Sequence, residues 1–240
     1  MDANRDSLAA IVMEPQRGQT PAPGFLEEVR EIATEIGAVL IFDEVTTGFR
    51  MTAGGIHLLL GVNPDMAVFA KAMANGYPMA AVIGTEEVMQ AAQSTFISST
   101  NWTERIGPVA ALATIRKHLR ENVAEHLISI GNLVTAGWRQ AAEETGLKLH
   151  ISGLPSLNHF NLDYEDELTL TTLFTQIMLD KGYLAWNQFK PSFAHQKHHV
   201  EEYLVAVTDA FATLAKAVIQ RNAASRLKGP PARRGFYRLT

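Results

Sequence analysis

The stretch "AVLIFDEV", residues Ala38 to Val45, constrains the fold most: a continuous apolar run that ends on two adjacent acids, Asp43 and Glu44, and then breaks into Thr-Thr-Gly. A strand with one wet face alternates apolar and polar residues, whereas an unbroken run is the pattern of a parallel-sheet strand covered on both faces. The neighbouring segments agree. "LAAIVMEP" reads as a buried strand, and "PGFLEEVREIATEIG" as an amphipathic helix ended by Gly37. "DMAVFA", Asp65 to Ala70, and "MAAVIG", Met79 to Gly84, are two further strands, the second followed by a helix from Thr85 to about Gln93. Strands alternating with helices predict an α/β domain with a mostly parallel sheet, which binds ligands at the C-terminal ends of its strands. Asp43 and Lys71 both fall at such ends.

The pattern changes in the second half. A long helical period runs from about Glu104 to Ser129 and continues through "IGNLVTAGWRQAAEETG". "LKLHISG" and "SLNHFNLDY" then read as antiparallel strands, and helices are expected near Thr169 to Lys181 and Val200 to Ala223. The division expected is residues 1–118 for the α/β part and 119–240 for a small α+β domain with a tail. There is no internal repeat and no low-complexity segment.

Composition removes several function classes. Net charge is −4, and Lys and Arg are scattered until the tail "RLKGPPARRGFYRLT", so no basic face for nucleic acid is expected. The absence of cysteine excludes disulfides and thiolate metal sites and fits a reducing compartment, the cytoplasm. No signal peptide is visible, and no apolar stretch approaches the roughly 20 residues that span a bilayer. "HQKHH", His195 to His199, has no acid at ligand spacing, and no metal is expected. Leu8 to Met13 reads as a core strand very near the first residue, so further chain is expected before it.

Lys71 is the only lysine in the first 116 residues, directly after an apolar strand. It is either a strand-end lysine snorkelling to solvent or a desolvated amine that forms an imine with a carbonyl compound. Asp43, at the end of another strand, favours the second. Pyridoxal phosphate requires such a pair, because its aldehyde takes a lysine and its ring nitrogen keeps a proton only beside an anion. Strand alternation turns Glu44 to the opposite side, where it is expected to hold backbone or a neighbouring loop. Arg50 reads as a structural arginine bonded to loop carbonyls. Trp102, Trp138 and Trp186 are core or interface residues, with Trp186 a candidate for the substrate entrance.

"MEPQRGQTPAPGFLEEVREIATEIGAVLIFDEVTTGFR" followed by "FAKAMANGYPMAAVIG" resembles the class III, fold type I aminotransferases, most closely the glutamate-1-semialdehyde aminomutase branch. The resemblance extends through "GPPARRGFYRLT" and covers essentially the whole chain. It implies that residues 1–118 are part of a pyridoxal-phosphate-binding large domain and 119–240 its C-terminal small domain. Asp43 then resembles the aspartate at the pyridine nitrogen, Lys71 the Schiff-base lysine, and Val45 the aliphatic residue packed on one ring face. Glu14 in "MEPQRG" resembles a strand-end glutamate that gates or orients substrate. Thr103, five residues before Pro108, resembles the threonine that binds the cofactor phosphate of the partner subunit in a homodimer with shared sites. Thr100 is the second candidate, because Arg105, Ile106 and Gly107 replace the usual Ser-Gly-Asn stretch.

Members of that family are longer, and this chain resembles their later part. The Gly/Ser-rich turn that grips the phosphate and the aromatic that stacks on the ring are expected to lie in the earlier part. The function implied is transfer of an amino group on a small amino acid or amino aldehyde, by an aminotransferase or an aminomutase, with the 240-residue chain inactive alone. The competing expectation is a non-catalytic truncated paralogue acting as a binding or dimerisation module. Removing strands from a parallel sheet would also leave a bare edge and an apolar face.

Overall fold

The computed structural model describes residues 5, 7–98, 100, 103–233 and 235. Trp102 and the tail residues 236–240 lie outside the described residues. The chain divides into two units, Met1–His126 and Leu127–Thr240.

The first unit is built on a four-stranded sheet in the order β1 (Ala10–Met13), β2 (Val39–Asp43), β3 (Met66–Phe69), β4 (Ala81–Gly84). β1, β2 and β3 are parallel, with Met13 opposite Phe42 and Asp43 opposite Val68. β4 runs antiparallel to β3, Phe69 opposite Ala81, which departs from the uniform parallel pattern read from the sequence. The reason is local: only a short 3₁₀ turn, Lys71–Met73, and a loop join the two strands, too little chain for a crossover helix.

Helix α1 (Phe25–Glu35) presents Leu26, Val29 and Ala33 at helical spacing and buries them against Leu40, Phe42 and Val62. Each such side chain taken from water contributes about 1.5–3 kcal/mol. The helix stops where Gly37 takes a left-handed φ of 68° and the Ala38 amide donates back to the Ala33 carbonyl at 2.9 Å. Arg30 on its polar face reaches Asp65 at 2.8 Å, and the same carboxylate oxygen accepts the Leu40 amide at 2.7 Å. That contact ties the helix to the start of β3.

Three shorter or later helices complete the unit: α2 (His57–Leu60), α3 (Glu86–Gln90) and α4 (Ile106–Arg120). The long helical period read from Glu104 onward is broken. α4 ends at Arg120, Asn122 adopts a φ of +48°, and α5 (Val123–Thr145) starts anew. Asparagine tolerates that left-handed conformation at low cost, which a periodicity reading does not register. Among the described residues β1 pairs on one side only, and Val12 on it is 66% exposed; Val82 and Ile83 of β4 and Val109 and Leu112 of α4 are exposed too. A bare edge and apolar surface were expected from the sequence.

The second unit pairs β5 (Leu149–Ser152), β6 (Asn158–Leu162) and β7 (Gln188–Phe189) as an antiparallel sheet in that order. With α6 (Glu167–Asp180) and α7 (Lys197–Ile219) it forms the α+β arrangement expected. Its core centres on Phe160, whose ring meets Trp138, Phe174 and Phe211 edge-on at 5.0, 5.3 and 5.4 Å. Each edge-to-face pair adds about 0.5–1.5 kcal/mol to the area buried. Trp138 is therefore a core residue, its indole N–H donating to the Tyr203 hydroxyl at 3.1 Å. Among the described residues no helix is long and apolar enough to cross a membrane.

Candidate active site

The end of β2 resolves the two adjacent acids. Leu40, Phe42 and Glu44 are fully buried while Ile41 and Asp43 on the other face are half-buried, so the pleat sends the two carboxylates opposite ways. Glu44 collects four donors: the Thr47 hydroxyl at 2.6 Å, the Ile56 and His57 amides at 3.0 Å each, and His57 Nδ1 at 2.8 Å. It holds backbone and a neighbouring loop, as expected. A carboxylate only accepts, which fixes the His57 proton on Nδ1.

Asp43 Oδ1 accepts the Val45 amide at 2.9 Å. This Asx turn ends the strand at Asp43, so Val45 sits in the turn and strand alternation does not fix its direction. The turn that follows is tightly determined. Gly48 donates to the Glu44 carbonyl at 2.8 Å, and a Cβ on Gly48 would stand 2.6 Å from the Phe69 ring. Phe49 adopts a φ of +59°, uncommon for a bulky residue, and is held by its amide on the Gly54 carbonyl at 2.8 Å and its carbonyl on His118 Nε2 at 3.0 Å. Arg50 Nε donates to the Thr46 carbonyl at 2.7 Å, the structural role expected, and burial lowers its guanidinium pKa from the usual value.

Lys71 begins the turn after β3 with a φ of +45°, following Ala70 at φ −157° and ψ −149°. Its Nζ donates to the Thr46 hydroxyl at 2.9 Å. The turn after Asp43 and the turn after β3 thus meet side chain to side chain. The amine is exposed rather than desolvated among the described residues, because its contact is the rim hydroxyl and no apolar wall.

Glu14 follows Met13 as Asp43 follows Phe42, so the two acids close adjacent parallel strands at one level. Its Oε1 accepts Arg17 at 3.1 Å, and its Oε2 is buried with no partner among the described residues. A buried carboxylate oxygen without a donor is costly unless something supplies one. Thr103 and Thr100 are exposed, and neither is brought into a described contact with Asp43 or Lys71. Beside Thr103, Glu104 accepts the Ile106 and Gly107 amides at 2.6 and 3.3 Å, and those two bonds lower its carboxyl pKa. α4 consequently opens at Ile106, two residues before Pro108.

Thr46, Gly48 and His57 were missed by the sequence reading. A hydroxyl three residues beyond the strand-end aspartate was the available signal for Thr46. His57 had none, since its pairing with Glu44 depends on a loop return.

Residues 1–211 match the family model described as aminotransferase class-III. The chain belongs to that family. A 3-aminobutyryl-CoA aminotransferase of Cloacimonas acidaminovorans is 34% identical over 227 residues, covering 86% of this chain and 55% of the relative. A glutamate-1-semialdehyde 2,1-aminomutase of Roseiflexus castenholzii is 32% identical over 238 residues, covering 90% and 55%. Among solved structures, the PLP internal aldimine form of the FumI protein of Sphingopyxis sp. MTA144 superimposes with a TM-score of 0.86 at 25% identity, covering 91% of this chain and 55% of that one. An omega-transaminase from Sphaerobacter thermophilus gives 0.78 at 28% identity, covering 90% and 53%. This class-III chain has the fold type I architecture expected, and spans about half the length of the relatives it matches.

Proposed function

We propose that this class-III chain belongs to a pyridoxal-phosphate enzyme that moves an amino group on a small amino acid or amino aldehyde, to a second molecule or to a neighbouring carbon of the same one. The supporting observation is the meeting of Lys71, in its left-handed turn, with Thr46, three residues beyond Asp43 on the adjacent parallel strand. The names of its relatives, an aminotransferase and an aminomutase, span both outcomes.

Pyridoxal phosphate is the cofactor of this reading, and the residues present fit it. When bound, the cofactor supplies a carbonyl for amines and a ring that withdraws electrons from the substrate carbon. Asp43 has one oxygen engaged by Val45 and, among the described residues, the other open to a protonated ring nitrogen. Its negative charge holds that proton. The Lys71 amine gives an N–H to Thr46, which orients the nitrogen and leaves the lone pair of its neutral form for a carbonyl carbon. Once released from that carbon, the same lone pair takes a proton from the substrate carbon and returns it nearby. Val45 offers an apolar side chain to one ring face. Glu14, with its buried unpartnered oxygen, accepts from the substrate or gates its entry.

Asp43→Asn in the full-length enzyme keeps the side-chain shape and removes the charge. Turnover should fall about a hundredfold to a thousandfold, about 2.7 to 4 kcal/mol at about 1.4 per factor of ten. An Asp43→Asn enzyme with the parent rate would refute the role.

Thr103 serves the phosphate of a partner subunit in this reading, which makes the working unit an isologous dimer. Inactive full-length Lys71→Ala and Thr103→Ala variants, mixed and allowed to exchange subunits, should regain part of the parent activity. One of the two sites in the mixed dimer then has both a native lysine and a native threonine. No recovery in a mixture shown to contain mixed dimer assigns the threonine to its own chain, and Thr100 becomes the residue to vary.

A further inference from the structure

The second unit holds a cavity of about 550 Å³ that amino transfer at Lys71 leaves unused, within the range typical of small-molecule sites. It is lined by Tyr183, Phe189, Lys190, His195, His199 and Tyr203 among others. The aromatic wall is continuous: Tyr183 and Phe189 stand 5.9 and 5.5 Å from the Tyr203 ring, and Phe189 stands 5.1 Å from His195. Tyr203 is almost fully buried, its hydroxyl engaged by Trp138, and burial raises its phenol pKa so that the wall stays uncharged.

The polar rim is one-sided. The Gln196 amide donates to His199 Nδ1 at 3.0 Å, and the Ser192 amide to His195 Nδ1 at 2.9 Å. An amide N–H can donate only to an unprotonated nitrogen, so both neutral rings carry their proton on Nε2. Lys190 adds an ammonium that has no carboxylate partner among the described residues. No Asp or Glu lines the cavity, and Glu201, on the next turn of α7, is paired with Lys197 at 3.5 Å. The cavity combines one fixed positive charge and ring N–H donors with an aromatic wall.

We propose that this cavity binds a small organic monocarboxylate with an aromatic or branched apolar body. The charge count selects the class: one ammonium balances a carboxylate, while a phosphate monoester near neutral pH would bring more charge than the rim offsets. The apolar wall selects against inorganic anions, which gain nothing from burial beside rings.

Phenylacetate is the probe, titrated into the chain while its binding is followed by ligand-observed NMR. The matched alcohol, 2-phenylethanol, and the matched amine, 2-phenylethylamine, should bind at least tenfold more weakly, a difference of about 1.4 kcal/mol. Lys190→Gln should weaken phenylacetate about tenfold. Lys190→Arg should restore most of it, and Lys216→Gln, an exposed lysine elsewhere on α7, should leave it unchanged. Lys190 is exposed, so these variants do not threaten the core. Lys71→Ala should also leave phenylacetate binding intact, which separates this cavity from the amino-transfer reading. Equal binding of the alcohol, indifference to Lys190→Gln, or loss of binding in Lys71→Ala would each overturn the assignment.

Discussion

Lys71→Ala in the full-length enzyme is expected to lower turnover by about four orders of magnitude or more, and to abolish the cofactor mass that borohydride fixes to the protein. Two functions are lost together: a nucleophile for the cofactor carbonyl, and a base for the substrate proton. Base catalysis alone contributes about 10²–10⁴. The reductive label in the parent enzyme should sit on the peptide containing Lys71, and the rest of the α/β unit offers little competition, since the next lysine is Lys117. Label on Lys117 or any other lysine would sink the assignment whatever the activity of the variant. The left-handed backbone at Lys71 sharpens the expectation, because a strained conformation persists only where its surroundings over-determine it.

Glu44→Ala is the change expected to cost the most stability in the first unit. The carboxylate is fully buried and accepts from Thr47, Ile56 and from both the amide and ring of His57, so its removal strands four donors away from water. Breaking a buried charged pair by deleting one partner costs about 3–5 kcal/mol. Urea unfolding of the variant should move its midpoint down at an unchanged slope. Glu44→Gln should lose less, as its one acceptor oxygen still serves two of the four donors. A Glu44→Ala chain as stable as the parent would mean that the loop carrying His57 relaxes without it. The same carboxylate also closes around Gly55, where a Cβ would stand 2.7 Å from Glu44 Oε1. Loop and acid are packed as one piece.

Much of the site was legible in the sequence because it is local. Asp43 and Glu44 are adjacent on one strand, and the period of two alone sends them to opposite faces. Lys71 announced itself as a lone lysine after an apolar run. The strand ends in the α/β half were readable for the same reason, each being a short apolar run closed by a polar residue or glycine. The break at Asn122, the antiparallel setting of β4 and the two-residue β7 were not readable. Each depends on a single dihedral, a short connection or a partner distant in the chain rather than on a repeating pattern.

What the sequence determined by itself was the α/β class of the first unit, the strand that ends on Asp43, and an amine and a carboxylate at ends of a parallel sheet. Tertiary structure decided which groups those residues touch. Parallel pairing put Asp43 opposite Val68, so that two separate turns converged and brought the Thr46 hydroxyl to Lys71. It brought His57 back across a loop to the buried Glu44, and left the second oxygen of Glu14 buried without a donor. The physical reason is range. Periodicity and turn chemistry act over a few residues and can be read along the chain, whereas hydrogen-bond partners and burial are set by packing between segments that only the fold brings together.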